Sequence, residues 1–302
     1  MSDQRVQVPA ARQGPGPMPQ RLLEALAVPI SRPTSGALPG DRRAAGLGAG
    51  TELAQLRPYE IGDDVRHIDA AATARTGEPH VRLHVPERTL TTWIALDVSP
   101  SMAFGTANRL KCDVAEGVAL ALARLAVRRA GRVALMTFGA GAPRLLRPRA
   151  SKPGVVAVRR ALSEGVAADG AGRPSALADA LGQLGKVASQ PGLVVVVSDF
   201  RDQEGWTKPL GALGARHSLL AVEVRDPREA ELPAVGHLAL VDPETGERIE
   251  VDTSRRGLRR AFARIEGEAR ERVARELRRL HVRHVVLSTD RDWLRDLGRR
   301  LR

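Results

Sequence analysis

An aspartate and two serines stand at alternate positions in the stretch TTWIALDVSPSMAFG: Asp97, Ser99 and Ser101. Alternate residues of an extended segment point the same way, so one carboxylate and two hydroxyls can converge on a single point. Oxygen donors of this kind are hard ligands, suited to Mg²⁺ or Mn²⁺ in octahedral geometry at roughly 2.0–2.1 Å. A second apolar run, LVVVVSD, ends in Asp199. Between the two, GRPSALADAL places Ser175 at a helix start, where its hydroxyl can add an oxygen or cap the helix. Two formal negative charges around a dication leave room for one more anionic ligand. An acidic side chain from another protein is the natural candidate.

Other chemistries fit the same residues less well. Asp97 as a phosphoryl-transfer nucleophile in the haloacid-dehalogenase manner wants a second aspartate two residues on, and that place is Ser99. Ser99 or Ser101 as a hydrolase nucleophile wants a G-x-S-x-G elbow, which DVSPSM is not. GAGAP at 139–143 lacks the Lys-Ser/Thr ending of a phosphate loop. The pairs His80/His84 and His281/His284 have zinc-like spacing but no third ligand nearby. No residue stands out as a catalytic base, and no catalytic residue is assigned.

The elements that must position Asp97 and Asp199 alternate between strand and helix. WIALD, RVALMTF, LVVVVSD, SLLAVEV and HVVLS are short apolar, β-branched runs, as expected of parallel strands covered on both faces. Leu110, Val114, Val118, Leu122 and Leu125 form a helical stripe, with Lys111, Glu116 and Arg128 elsewhere on the wheel. Further helices are expected over Ser175–Val187, Gln203–Leu213 and Asp290–Leu301, the last capped by Asp290. A longer one spans Leu258–Leu280, with Leu258, Phe262, Ile265, Ala269, Val273, Leu277 and Leu280 on one face. GHLALVDPETGERIEVD reads as a hairpin turning at Pro243, Glu244, Thr245 and Gly246. The pattern predicts an α/β fold, a doubly wound, mostly parallel sheet, whose ligands sit at the carboxyl ends of the strands.

Composition bounds the rest. With 302 residues, 43% of them hydrophobic, the chain can build one large domain or two modest ones without staples. The single cysteine, Cys112, excludes an internal disulfide framework and fits a buried helix position in a reducing compartment. A net charge of +12 invites a nucleic-acid reading, but the arginines are scattered through every helix. Aromatics at 3% also leave few stacking platforms, so no specific nucleic-acid partner is expected. The polar, Pro/Gly-rich N-terminus is no signal peptide, and no segment reaches the ~18 uninterrupted apolar residues of a membrane helix. A cytoplasmic protein is expected, its charge compatible with peripheral contact to an anionic surface. Residues 1–50 read as a lead-in, 51–90 as a charged segment packing on the main domain, and 91–302 as that domain.

The loop residues resemble a von Willebrand factor A domain with a metal-ion-dependent adhesion site. In that family a D-x-S-x-S loop, a threonine and a third-loop aspartate hold Mg²⁺, and a partner's carboxylate completes the shell. Carried over, Asp97, Ser99 and Ser101 match the first loop, Ser175 stands where threonine is usual, and Asp199 matches the third. Upstream, LRPYEIGDDVRHIDAAATARTGEPHVR is similar to the signature of domain-of-unknown-function family 58, and so is RDPREAELPAVGHLALVDPETGERIEVD downstream. The chain departs from that family at Ala70, where tryptophan is common, and in lacking the transmembrane helices of many members. The resemblance implies a Rossmann-type, von Willebrand factor A-like fold with a hairpin insertion and an N-terminal strand and loop segment. It also implies a MoxR-type AAA+ ATPase as partner, in protein assembly, maturation or cofactor insertion. Arg57, Tyr59, Asp63, Asp64, Arg66 and Asp69 are expected to form an ion-paired clamp. The function expected is a non-enzymatic, Mg²⁺-dependent adaptor, against two rivals: a basic nucleic-acid-associated protein and a metal-dependent phosphate-ester hydrolase.

Overall fold

The computed structural model describes residues 5–6, 52–85, 90–107, 109–201 and 204–301. Apart from Arg5–Val6, the lead-in lies outside the described residues. The chain divides into two compact units, Ser35–Thr89 and the remainder, Met1–Thr34 with Leu90–Arg302. In the remainder, β1 (Arg5–Val6) pairs antiparallel with a short strand at Val166–Ala167.

The smaller unit is built on an antiparallel pair, β2 (Glu52–Pro58) and β3 (His80–Val85). Between them lies α1 (Ala70–Thr76), which starts where the Asp69 carboxylate accepts the Ala72 amide at 2.8 Å. It ends at Gly77, whose φ of 78° is the left-handed cap that glycine supplies. The charged residues pair within this unit: Arg57 with Asp63 at 2.7 Å, and Asp69 with Arg82 at 2.6 Å. The hydrogen bond from Arg82, with that from the Ala72 amide, holds the Asp69 carboxyl down at about 2.

In the larger unit the strands are β4 (Thr91–Asp97), β5 (Arg132–Gly139), β6 (Gly141–Ala150), β7 (Val166–Ala167), β8 (Leu193–Ser198), β9 (Ser218–Arg225), β10 (His237–Val241), β11 (Arg248–Asp252) and β12 (Arg283–Ser288). Six of them form one sheet in the order β12-β9-β8-β4-β5-β6, parallel except for β6. All five runs read from the sequence as parallel strands lie in it. The helices are α2 (Lys111–Arg128), α3 (Ser151–Leu162), α4 (Ala176–Val187), α5 (Thr207–Gly214), α6 (Arg256–Arg279) and α7 (Trp293–Arg300).

The period-two geometry of the strands splits their side chains between two cores. Ile94, Leu96, Leu135, Val195, Val197 and Val222 face Val114, Val118 and Leu122 of α2 and Trp293 and Leu297 of α7. Trp93, Ala95, Met136, Phe138, Val194 and Val196 face Leu177, Leu181 and Leu184 of α4 and Leu210 of α5. Covering on both faces is why these strands are continuously apolar.

Several expectations need correction. β6 has no strand-like run because it is an edge: its residues PRLLRPRA carry Pro143, Pro148 and three arginines, the usual protection of an unpaired edge. The last helix is capped by Asp292, which accepts the Arg295 amide at 3.1 Å, and not by Asp290. The helix expected from Gln203 begins at Thr207, with 202–203 outside the described residues. Lys111 does not face water: it is fully buried at the start of α2. In α6, Leu277 is buried, but Leu258 and Ile265 of the expected apolar face are exposed. The core contacts of α6 come from its C-terminal end, where Leu277 is buried and Val273 packs against the same cluster.

Candidate metal centre

Asp97 closes β4, between β5 and β8 and at the carboxyl edge of the parallel strands, and is 1% exposed. Its Oδ1 accepts the Ser99 amide at 2.9 Å, and its Oδ2 accepts the Ser198 hydroxyl at 2.5 Å. The chain turns there into a short 3-10 segment, Pro100–Ala103, after Ser99. This brings the Ser99 and Ser101 hydroxyls to 3.1 Å from each other, both side chains buried. Gly139 at the end of β5 makes the turn sterically possible: a Cβ there would stand 2.5 Å from the Ser99 nitrogen.

Among the described residues no basic side chain pairs with Asp97. Burial therefore raises its carboxyl, the nearby Asp199 charge adds to this, and the two hydroxyl and amide donors only partly oppose it, leaving it at about 7.

Asp199, just past β8, is balanced differently. Its Oδ1 accepts the Arg201 amide at 3.0 Å and its Oδ2 accepts Lys111 Nζ at 2.5 Å. Burial alone would raise this carboxyl, but the Lys111 ammonium outweighs it and holds it low. Lys111 also donates to Glu229 Oε1, which places one ammonium between two carboxylates. Burial works against the ammonium, yet these two charges keep its titration above the ordinary lysine range. Glu229 is fixed by its own acceptance of the Asp226 amide at 3.0 Å. Beside Asp199 opens a cleft of about 500 Å³ toward α6, in which Arg201 is paired with Glu266 at 2.8 Å.

Ser175 stands apart. It precedes α4, is exposed, and its hydroxyl donates to Asp179 Oδ2 at 3.3 Å rather than to the helix amides.

Two residues that the structure brings to this site were not legible as such in the sequence. Lys111 is one, and Glu244 is the other. Glu244 lies at the tip of the β10–β11 hairpin, and its Oε1 accepts the Ser101 amide at 3.0 Å across 143 residues of chain. Burial raises the Glu244 carboxyl; hydrogen bonds from Ser101 and Ser99 oppose the rise, and the Asp199 charge adds to it.

The donor set can be tested against a divalent ion. Among the described residues no three Asp, Glu, His or Cys side chains cluster as a metal site. The hydroxyls of Ser99 and Ser101 would have to complete the shell, which is a hard-oxygen arrangement suited to Mg²⁺ or Mn²⁺ and not to zinc. A buried carboxylate without a cation, beside two converging hydroxyls, fits such an ion. Asp199 fits as an outer charge, since one of its oxygens already belongs to Lys111. One histidine of each pair has another partner: His284 Nε2 lies 2.9 Å from Glu223, and His80 Nδ1 lies 3.1 Å from Thr76 Oγ1. Among the described residues, no helix is long and apolar enough to cross a membrane.

The chain is 37% identical over 279 residues to uncharacterized protein Rv1480 of Mycobacterium tuberculosis, covering 92% of this chain and 87% of that one. It is 42% identical to uncharacterized protein MAV169 of Mycobacterium avium over 123 residues, 41% of this chain and 72% of that one. Among solved structures it is similar to the conserved hypothetical protein BatB from Bacteroides thetaiotaomicron, with 16% identity, 70% and 97% coverage and a TM-score of 0.44. The SpRpn10 VWA domain is a further likeness, with 14% identity, 69% and 93% coverage and a TM-score of 0.37. Residues 55–272 match the family described as Protein of unknown function DUF58, and the chain therefore belongs to the DUF58 family.

Proposed function

We propose that this chain is a non-enzymatic adaptor whose Asp97, Ser99 and Ser101 loop holds Mg²⁺ or Mn²⁺ and through it binds an acidic side chain of a protein partner. The observation that carries this reading is the buried Asp97 carboxylate, with no cationic partner among the described residues, beside two hydroxyls 3.1 Å apart. Asp97, Ser99 and Ser101 would hold the ion, and Asp199 would contribute charge behind it. The ion supplies a positive end to which a carboxylate binds. The protein's part is to fix the loop: Ser198 and the Ser99 amide orient Asp97. Asp226 anchors the adjoining segment by accepting the Thr106 amide at 2.8 Å and the Thr106 hydroxyl at 2.6 Å.

Ser175, exposed and turned to Asp179, is left out of the proposed shell. The partner that family resemblance suggests is a MoxR-type AAA+ ATPase, with a role in protein assembly, maturation or cofactor insertion, in the cytoplasm. Capture of such an ATPase on the immobilised chain tests the reading. Retention in Mg²⁺, loss in EDTA and loss with Asp97→Ala are expected. Capture that is equal in Mg²⁺ and EDTA would contradict it.

A further inference from the structure

The position a partner's carboxylate would take is already approached by a carboxylate of this chain. Glu244 Oε1 accepts the Ser101 amide at 3.0 Å, beside the paired Ser99 and Ser101 hydroxyls. Its backbone is docked as well. The Gly172 amide donates to the Glu244 carbonyl at 3.0 Å and the Gly170 amide to the Pro243 carbonyl at 2.8 Å. A Cβ on Gly172 would run into the Glu244 side chain, so the glycine leaves room for this residue.

The tip that presents Glu244 is internally rigid. Asp242 accepts the Glu244 amide at 2.9 Å and the Thr245 hydroxyl at 2.8 Å, and the Gly246 amide returns to the Asp242 carbonyl at 2.8 Å. The ribbon behind it is not part of the main sheet. Among the described residues β10 and β11 pair only with each other, and Val241 and Ile249 on them are exposed. A lone two-stranded ribbon has little stability of its own, so its position depends on its ends. At the base, Thr253 is buried and donates to the Gly236 carbonyl at 2.8 Å. At the tip, the Glu244 side chain and the 170–172 amides hold it. A ribbon fastened firmly at its base and by a few polar contacts at its tip can swing away when those contacts are outcompeted.

We propose that Glu244 is the chain's own ligand for the Asp97–Ser99–Ser101 loop, so that the hairpin closes the site until a partner presents a glutamate on a similar exposed turn. The inference rests on the adaptor reading for the identity of the site. It assigns the ligand class as a turn-borne glutamate side chain, and it makes partner binding competitive with the hairpin.

Two readouts test it, hydrogen–deuterium exchange across 170–172 and 237–252, and binding of a labelled, cyclised peptide of residues 236–253 supplied in trans. Glu244→Ala removes a hydrogen bond to a charged group, so exchange at the tip should rise about tenfold or more. The trans peptide restores that hydrogen bond and should bind Glu244→Ala about tenfold or more tighter than wild type. A peptide with glutamine in place of Glu244 should not bind. Unchanged exchange, or equal binding of the peptide to wild type and Glu244→Ala, overturns the proposal. The two readings separate cleanly. Peptide binding to Glu244→Ala that is the same in EDTA and Mg²⁺ keeps the latch and removes the metal from it. A wild type that responds to Mg²⁺, with Glu244→Ala changing neither readout, keeps the metal site and removes the latch.

Discussion

In EDTA, Asp97→Asn is expected to raise stability by about 4 kcal/mol at pH 8 and by less than half of that at pH 5. The sign follows from proton counting. The folded chain keeps the Asp97 proton up to about 7, whereas the unfolded chain releases it near the ordinary value of 3.8. Between those limits the folded state binds more protons, so stability falls as the pH rises. Asparagine cannot ionise, and the variant lacks this slope. Its carbonyl can still accept the Ser99 amide, and its amide can donate to the Ser198 hydroxyl, so the loop keeps its two anchors. Chemical denaturation at several pH values measures the difference. In Mg²⁺ the order should reverse, because an ion on the carboxylate stabilises only the wild type. Wild-type and Asp97→Asn profiles that run parallel from pH 5 to pH 8 in EDTA would show that Asp97 is not a buried, cation-less carboxylate.

Lys111→Met should destabilise the protein by about 3–5 kcal/mol, the usual cost of leaving buried charges without their partner. For a unit of this size that is on the order of 10 °C in Tm. The methionine fills a similar volume, so the loss reports the ammonium and not a cavity. Asp199 and Glu229 would then face each other uncompensated apart from Arg201 and Arg270, which lie 4.0 and 3.7 Å from Glu229. Because Asp199 titrates below its ordinary range in the folded chain, the stabilisation it draws from Lys111 is complete above about pH 4 and is lost as the pH falls further. The Asp199→Asn background should recover part of the Lys111→Met loss. A double-mutant cycle in which the two losses simply add would contradict the pairing.

The strands and most helices are legible because burial on both faces leaves a plain apolar signature, as in LVVVVSD. The positions of Asp97 and Asp199 follow from that, since each ends such a run. β6 escapes because an edge strand is written in prolines and arginines. Lys111 escapes for a different reason. Helical periodicity sorts residues by apolarity, and a lysine next to Leu110 reads as the wet side; only its distant partners, Asp199 and Glu229, account for its burial. The hairpin is readable from its alternation and its turn. Which surface the turn meets depends on the 170–172 loop and on Ser101, and no local pattern encodes a contact across 143 residues.

Thermal unfolding of the wild type and of Asp97→Ala in EDTA, Mg²⁺ and Mn²⁺ tests the central claim most directly. An ion at about 100 times its dissociation constant adds roughly 2.7 kcal/mol to the folded state, a rise of several degrees in Tm. That rise is expected in the wild type with either ion, and none in Asp97→Ala. A wild type unmoved by both ions, or an Asp97→Ala variant that moves as far, would contradict the claim.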